Sequence, residues 1–347
     1  MADLLKMKVT LRQKLGTLIL DIPRYAYLVV IGKLLGRNDW LKYKNRNETI
    51  FLNPDTEGVR CQGQWTSNLH LTQVFPSLAN HLYKLCTKHC VFKFTALEPR
   101  LAEHADITFI IGHRGTDRLP LLLKTIDSIG SQGDCAVECI VVEQSAKASI
   151  KDKLPKWVRF YHQTVPQEQA YSRSMAFNFG AKLAQTEHII LHDNDLLVPT
   201  RYASDHLKWL RKGYQFVNLK RFIFYLNKES SQRYIKDHHN NTFSFDQIMQ
   251  NAQGGGSIAA STTAYFDIGG FDEQFVGWGG EDNEFWERAQ TKKTWAYANL
   301  CLIHLWHKPQ IDKQMSDVSA NKKRYETLSR IEPHDRIAAL KASYSSD

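Results

Sequence analysis

The sequence predicts an α/β fold with a largely parallel central sheet flanked by helices, preceded by a mainly helical N-terminal extension. Two observations predict it: from about residue 100 apolar strands alternate with amphipathic helices, and the residues able to do chemistry fall directly after those strands. No repeat or low-complexity segment interrupts the pattern.

Ile107–Ile111 reads as a buried strand, and Asp117 to Ile129 follows as a helix with Leu119, Leu122, Leu123, Ile126 and Ile129 at helical spacing. Val137–Val142 is a second strand and Val158–His162 a short third. A helix from about Gln169 to Leu183 then leads to the strand His188–His192. This βαβ order implies parallel strands joined by right-handed crossovers. Ligands of such sheets bind beyond the carboxyl ends of the strands, where His113-Arg114, Glu143-Gln144 and Asp193-Asn-Asp195 all lie. The predicted organisation is an N-terminal extension over 1–100, the α/β domain over 101–310 and a charged, mostly helical tail over 311–347.

The 347 residues carry 43% hydrophobic content, ample for a packed core, and a formal net charge of +9. Such a charge suits phosphorylated ligands, an anionic membrane surface or nucleic acid. No nucleic-acid module or basic-aromatic stripe accompanies it, so nucleic acid is not an expected partner. Six cysteines, among them the pairs Cys86/Cys90 and Cys135/Cys139, lack the companion ligands of a zinc finger, and reduced, intracellular thiols are expected. Trp65 lies in a stretch with no readable chemistry.

The N-terminal segment mixes apolar runs, Leu15–Leu20 and Tyr25–Ile31, with Lys6, Lys8, Arg12, Lys14 and Arg24. Charges and Pro23 interrupt it too often for a spanning helix, and no signal-peptide cleavage pattern follows. Two readings stay open: a helix packed on the protein's own core, or a peripheral segment on the cytoplasmic, inner face of a membrane.

Three constellations carry the chemistry. In HIILHDNDLLVP, Asp193 and Asp195 follow a strand and precede Pro199, which can open the next helix, so both carboxylates can face a cleft and hold a divalent cation against a diphosphate. In GGGSIAASTTAYFDIGGFDEQFVGWGGEDNEFWERA, Gly254–Gly256 allow close backbone approach, and Trp278, Gly279 and Gly280 precede Glu281 and Asp282 at the head of a helix. Acids there serve as helix caps, or as a base beside an aromatic face that stacks on a sugar. Finally, His304 and His307 follow a predicted strand. Imidazole with carboxylate oxygen suits Mn²⁺ or another first-row divalent cation.

Across roughly residues 105–310 these motifs resemble the family 2-like glycosyltransferases of GT-A fold, and among them the β-1,4-galactosyltransferases and the chondroitin-type N-acetylgalactosaminyltransferases. FVGWGGEDNEF is the most specific part. The resemblance implies that Asp195, His307 and His304 bind the metal and that Asp193 lies near the ribose and phosphate. Asp282 is then the base, with Glu281 beside the acceptor. Trp278, Gly279 and Gly280 form the acceptor site, while His113, Arg114, Glu143, Tyr171, Arg173 and Asn178 contact the nucleotide. Asn283 departs from the pattern, standing where an acid often follows the base.

The expectation is therefore an inverting, Mn²⁺-dependent transferase using a UDP-sugar. Its donor sugar would be a hexose or N-acetylhexosamine, with galactose or N-acetylgalactosamine favoured by the resemblance and glucose-type sugars still open, and its acceptor a saccharide hydroxyl, lipid-linked acceptors included, in polysaccharide or glycolipid synthesis. A retaining transferase and a non-catalytic carbohydrate-binding protein on the same fold are the alternatives.

Overall fold

A computed structural model describes residues 10–35, 39–46, 48–53, 58–62, 67–94, 104–237, 242–251, 254–308 and 320–344. Lys6, Lys8 and Trp65 lie outside them. The chain divides into two compact units that interleave in sequence. One comprises residues 1–92, 219–253 and 296–306, and the other 93–218, 254–295 and 307–347.

The second unit holds a seven-stranded sheet in the order Thr294–Trp295, Phe216–Val217, Ser257–Ser261, His188–His192, Ile107–His113, Val137–Ser145 and Val158–Thr164. The four strands from His188–His192 to Val158–Thr164 run parallel, as the βαβ order requires. Ser257–Ser261 enters antiparallel to both of its neighbours, so the sheet is mixed at that point. Ile107–His113 is buried along its whole length, which explains its largely apolar sequence. Leu119–Gly130 and Arg173–Leu183 supply the crossovers, the latter capped by the Ser172 hydroxyl, which accepts from the Met175 amide at 3.3 Å. His188–His192 has the predicted bounds, whereas the other three strands run two or three residues beyond the predicted ends, so His113, Glu143 and Gln144 sit on strands rather than after them. Pro199 precedes the helix Tyr202–Leu210 but stands outside it.

The helix Glu281–Ala289 is held by buried ion pairs. Arg288 donates to both Glu284 oxygens, at 2.7 and 2.6 Å, and to the Gly270 carbonyl at 2.7 Å. Arg336, from the C-terminal helix Pro333–Tyr344, donates to Glu287 at 2.8 Å. Buried charges of this kind are tolerated because each is matched in place. The helix Ala320–Leu328 braces the loop before Glu281, since Asn321 donates to the Val276 carbonyl at 3.0 Å.

In the first unit the helix Leu11–Gly16 continues through a π turn at Thr17–Asp21 into Ile22–Leu35. A hairpin, Ile50–Leu52 with Val59–Cys61, follows. Ser67–Asn68, Phe245–Gln250, Lys220–Leu226 and Leu300–His304 line up in that order in a sheet. The region before residue 100 thus adds short strands to the expected helices. The helix Pro76–His89 packs its buried Tyr83 among Phe224, Phe243 and Phe245. None of the six cysteines forms a disulfide. Among the described residues no helix is long and apolar enough to cross a membrane.

Candidate functional site

The site belongs to the second unit and is built on three segments. The first is the loop after His188–His192. The Asp193 amide donates to the Gly256 carbonyl at 2.9 Å, and Thr125 donates to the Asn194 carbonyl at 3.2 Å. His192, at the strand end, is locked through both ring nitrogens: Nε2 donates to the Leu196 carbonyl and Nδ1 pairs with the Ser257 hydroxyl, each at 2.7 Å. Hydrogen bonds on both flanks of the loop hold its carboxylates in place.

The second segment is the Gly-Gly-Gly run. A Cβ on Gly254 would lie 2.5 Å from the Asp282 carbonyl oxygen and 3.0 Å from the Trp286 Cβ, so only glycine lets this strand approach the head of the helix Glu281–Ala289. The third is that helix head itself. Gly277, Gly279 and Gly280 adopt φ of +85°, +107° and +87°, a backbone that L side chains resist, and this turn presents the two acids. Trp278, between them, is 37% exposed.

Arg173, on the first turn of its helix, joins the segments. Its Nε donates to Asp193 Oδ1 at 2.7 Å, its Nη1 donates to Asp282 Oδ1, and Glu281 Oε1 lies 3.9 Å away. The three carboxylates hold the guanidinium firmly protonated against the cost of burial. Glu281 is pushed up to about 7, chiefly by burial and then by neighbouring Asp282, with Arg173 opposing.

Asp195 is 3% exposed and faces Arg118 Nη1 at 3.4 Å and His307 Nε2 at 3.3 Å. The His307 Nδ1 donates to the Lys308 carbonyl at 2.9 Å, so in the neutral ring Nε2 carries the lone pair that points at Asp195. His304 ends the strand Leu300–His304 of the other unit and stacks on Tyr225 with centroids 4.2 Å apart.

The remaining residues of the expected donor set divide in two. Arg114 braces the cleft wall, donating to the carbonyls of Gln144 at 3.0 Å and Gln169 at 2.6 Å. Tyr171 packs so closely on the first strand that a Cβ on Gly112 would meet its hydroxyl at 2.1 Å. By contrast, Glu143 accepts from the Ser149 amide at 2.9 Å, closing its own loop. Asn178 donates to the Phe271 carbonyl and Glu273, at 2.8 and 2.9 Å, and accepts from Phe271 N at 2.9 Å and from Tyr265. His113 pairs with Asn194 at 2.8 Å and Gly115 O at 2.7 Å, and burial lowers its basicity, so it stands neutral beneath the Asp193-Asn-Asp195 loop. Arg118, which no sequence motif pointed to, is the functional candidate the reading missed; its only signal was a basic residue at the head of the first crossover helix.

Residues 238–299, which include the Gly-Gly-Gly run, Trp278 and both acids, match the family model described as the N-terminal domain of galactosyltransferase. This segment is galactosyltransferase-like. No curated protein matches the chain. Among solved structures, the mannosyltransferase PcManGT from Pyrobaculum calidifontis, in complex with GDP-Man and Mn²⁺, superposes with a TM-score of 0.42 at 15% identity, covering 78% of this chain and 84% of that one. GalNAc-T7 with UDP, GalNAc and Mn²⁺ superposes with a TM-score of 0.42 at 13% identity, covering 58% of this chain and 44% of that one, so the chain spans less than half its length.

Proposed function

We propose that the protein is an inverting, divalent-cation-dependent glycosyltransferase that moves galactose or N-acetylgalactosamine from a UDP-sugar to a saccharide hydroxyl. The observation that carries this reading is the bridge from Asp193 through Arg173 to Asp282. It sets a strand-end acid pair beside the acids of the galactosyltransferase-like segment.

Asp195 and His307 fit a metal such as Mn²⁺. Their ligand atoms stand 3.3 Å apart, close to the ~3 Å between adjacent ligands of an ion bonded at about 2.1 Å. The outer His307 nitrogen donates to a carbonyl, as metal-ligating imidazoles do. His304, three residues earlier in the chain, is the proposed further ligand. When bound, the cation would neutralise charge on the departing diphosphate.

In this reading Asp282 accepts the proton of the acceptor hydroxyl, and Glu281, whose burial favours the neutral acid, donates a hydrogen bond to the acceptor. Trp278 offers its exposed face to the sugar ring, on the turn formed by Gly279 and Gly280. Arg173 and Asp193 hold the donor, with Arg114 and Tyr171 lining its nucleotide end; His113, Glu143 and Asn178 fix the walls. The proposed setting is polysaccharide or glycolipid synthesis at the inner face of a membrane, with a lipid-linked acceptor among the candidates.

A screen of UDP-sugars for hydrolysis and transfer, with Mn²⁺ and with excess chelator, tests the function. Turnover of UDP-galactose or UDP-N-acetylgalactosamine only with metal is expected. Absence of binding and turnover with every UDP-sugar would reject it.

A further inference from the structure

We propose that the N-terminal helix and the hairpin after it dock on an anionic phospholipid bilayer, the headgroup phosphates seating in a basic groove between them; the inference gives a surface to the membrane setting proposed above. The helix Ile22–Leu35 has the sequence IPRYAYLVVIGKLL, apolar nearly all round. A helix of that kind is ordinarily enclosed by protein or by lipid. Here one side is covered, by Tyr25 against Tyr43 at 4.7 Å, while Tyr27, Val30 and Leu34 are 64%, 54% and 75% exposed. Leu18 and Ile19 on the preceding turns, and Leu52 on the hairpin, are also more than half exposed. Of the sixteen large apolar residues exposed among those described, eleven lie between Leu11 and Leu52. Such clustering marks an interaction surface.

Charge identifies the partner. A groove of about 710 Å³ runs between helix and hairpin, with Tyr27, Leu28, Ile50 and Leu52 as its apolar wall and Arg24, Lys42 and Lys44 as its cations. Among the described residues no carboxylate lines it. Two acids of the same region are engaged elsewhere: Asp21 is buried and paired with Arg46 at 3.2 Å, and Glu48 accepts from Asn45 N at 3.0 Å and from Gln250. Apolar side chains beside cations match the boundary between acyl chains and anionic headgroups. Among the described residues no helix is long and apolar enough to cross a bilayer, so the segment would lie at the interface. A second copy fits less well, because a two-fold contact through this face would set its cations against themselves, and lysines are depleted from the centres of protein interfaces.

Co-sedimentation of the full chain with phosphatidylcholine vesicles, with and without 30% phosphatidylglycerol, tests the proposal; these compositions are about those needed for a strong surface charge. Binding to the anionic vesicles should exceed binding to the neutral ones at least tenfold, on the order of what two or three cations supply, and fall away at high salt. Ile19→Ser with Tyr27→Ser, and separately Arg24→Glu with Lys42→Glu, should each abolish it while UDP-sugar turnover and the melting temperature stay as in the wild type. Equal behaviour on both lipids, or variants that bind like the wild type, would overturn the proposal. So would wild-type dimers that those substitutions dissolve in the absence of any vesicle binding. Vesicle binding without UDP-sugar turnover would reject the transferase reading and leave this one standing.

Discussion

Arg173 donates from Nε to Asp193 Oδ1 at 2.7 Å, and the same planar group turns Nη1 to Asp282. One guanidinium thereby fixes the distance between the strand-end loop and the helix head. Arg173→Lys keeps the charge but loses the fork, since an ammonium is a point donor on a flexible stem. Each charge-assisted hydrogen bond contributes about 1.5–3 kcal/mol, so losing one should lower kcat/KM about 10- to 100-fold, and Arg173→Ala should lower it further. Steady-state kinetics on both variants check this; Arg173→Lys at the wild-type rate would show that the bridge is dispensable.

Metal binding should depend on the Asp195–His307 pair. Asp195→Ala and His307→Ala should each weaken Mn²⁺ binding, measured by calorimetry, by at least the ~10- to 100-fold seen when only a supporting group is removed. Unchanged affinity in both variants would place the ion elsewhere.

Glycine at 254 is required by the helix head, because a Cβ there would lie 2.5 Å from a backbone oxygen that cannot swing aside. Gly254→Ala should destabilise the protein by about 1–3 kcal/mol, the usual cost of overpacking. Urea unfolding measures it, and a variant as stable as the wild type would contradict the close approach.

Glu281 holds its proton up to about 7 when folded, against an ordinary carboxyl value of 4.5. The folded state therefore binds one proton more than the unfolded state between those values, and stability falls as pH rises through that window. The contribution is complete below the lower value and lost above the upper. Glu281→Gln should remove this decline, so the wild type should lose more stability than the variant between pH 5 and pH 7.5, a range set at about the titration limits. Parallel urea midpoints for the two proteins would show the prediction wrong.

How much of this was legible in the sequence follows from how local each feature is. Ile107–His113 and His188–His192 announce themselves by short, mostly apolar runs, and Leu119–Gly130 by its spacing, because burial acts on each element separately. The antiparallel entry of Ser257–Ser261 is not local: nothing in a run of small residues states which strand it will join. Nor does the sequence show that residues 219–253 and 296–306 fold with the N-terminal stretch, since contiguous segments were the natural expectation. In the site, residue type was readable and partner was not. Glu143 and Asn178 carry the polar atoms a nucleotide would want, yet those atoms close loops of the protein itself. Arg173 was marked only as a nucleotide contact, and its bridge to Asp282 depends on a contact between segments far apart in the chain.

The central claim is that Asp282 takes the proton of the acceptor hydroxyl, and the transfer rate of Asp282→Asn tests it most directly. The amide keeps the shape and the approach of Arg173 but cannot act as the base. With Mn²⁺ and saturating UDP-sugar, kcat should fall by about 10²- to 10⁴-fold while donor affinity stays near the wild-type value. A variant that transfers sugar at close to the wild-type rate would contradict the assignment and place the base elsewhere.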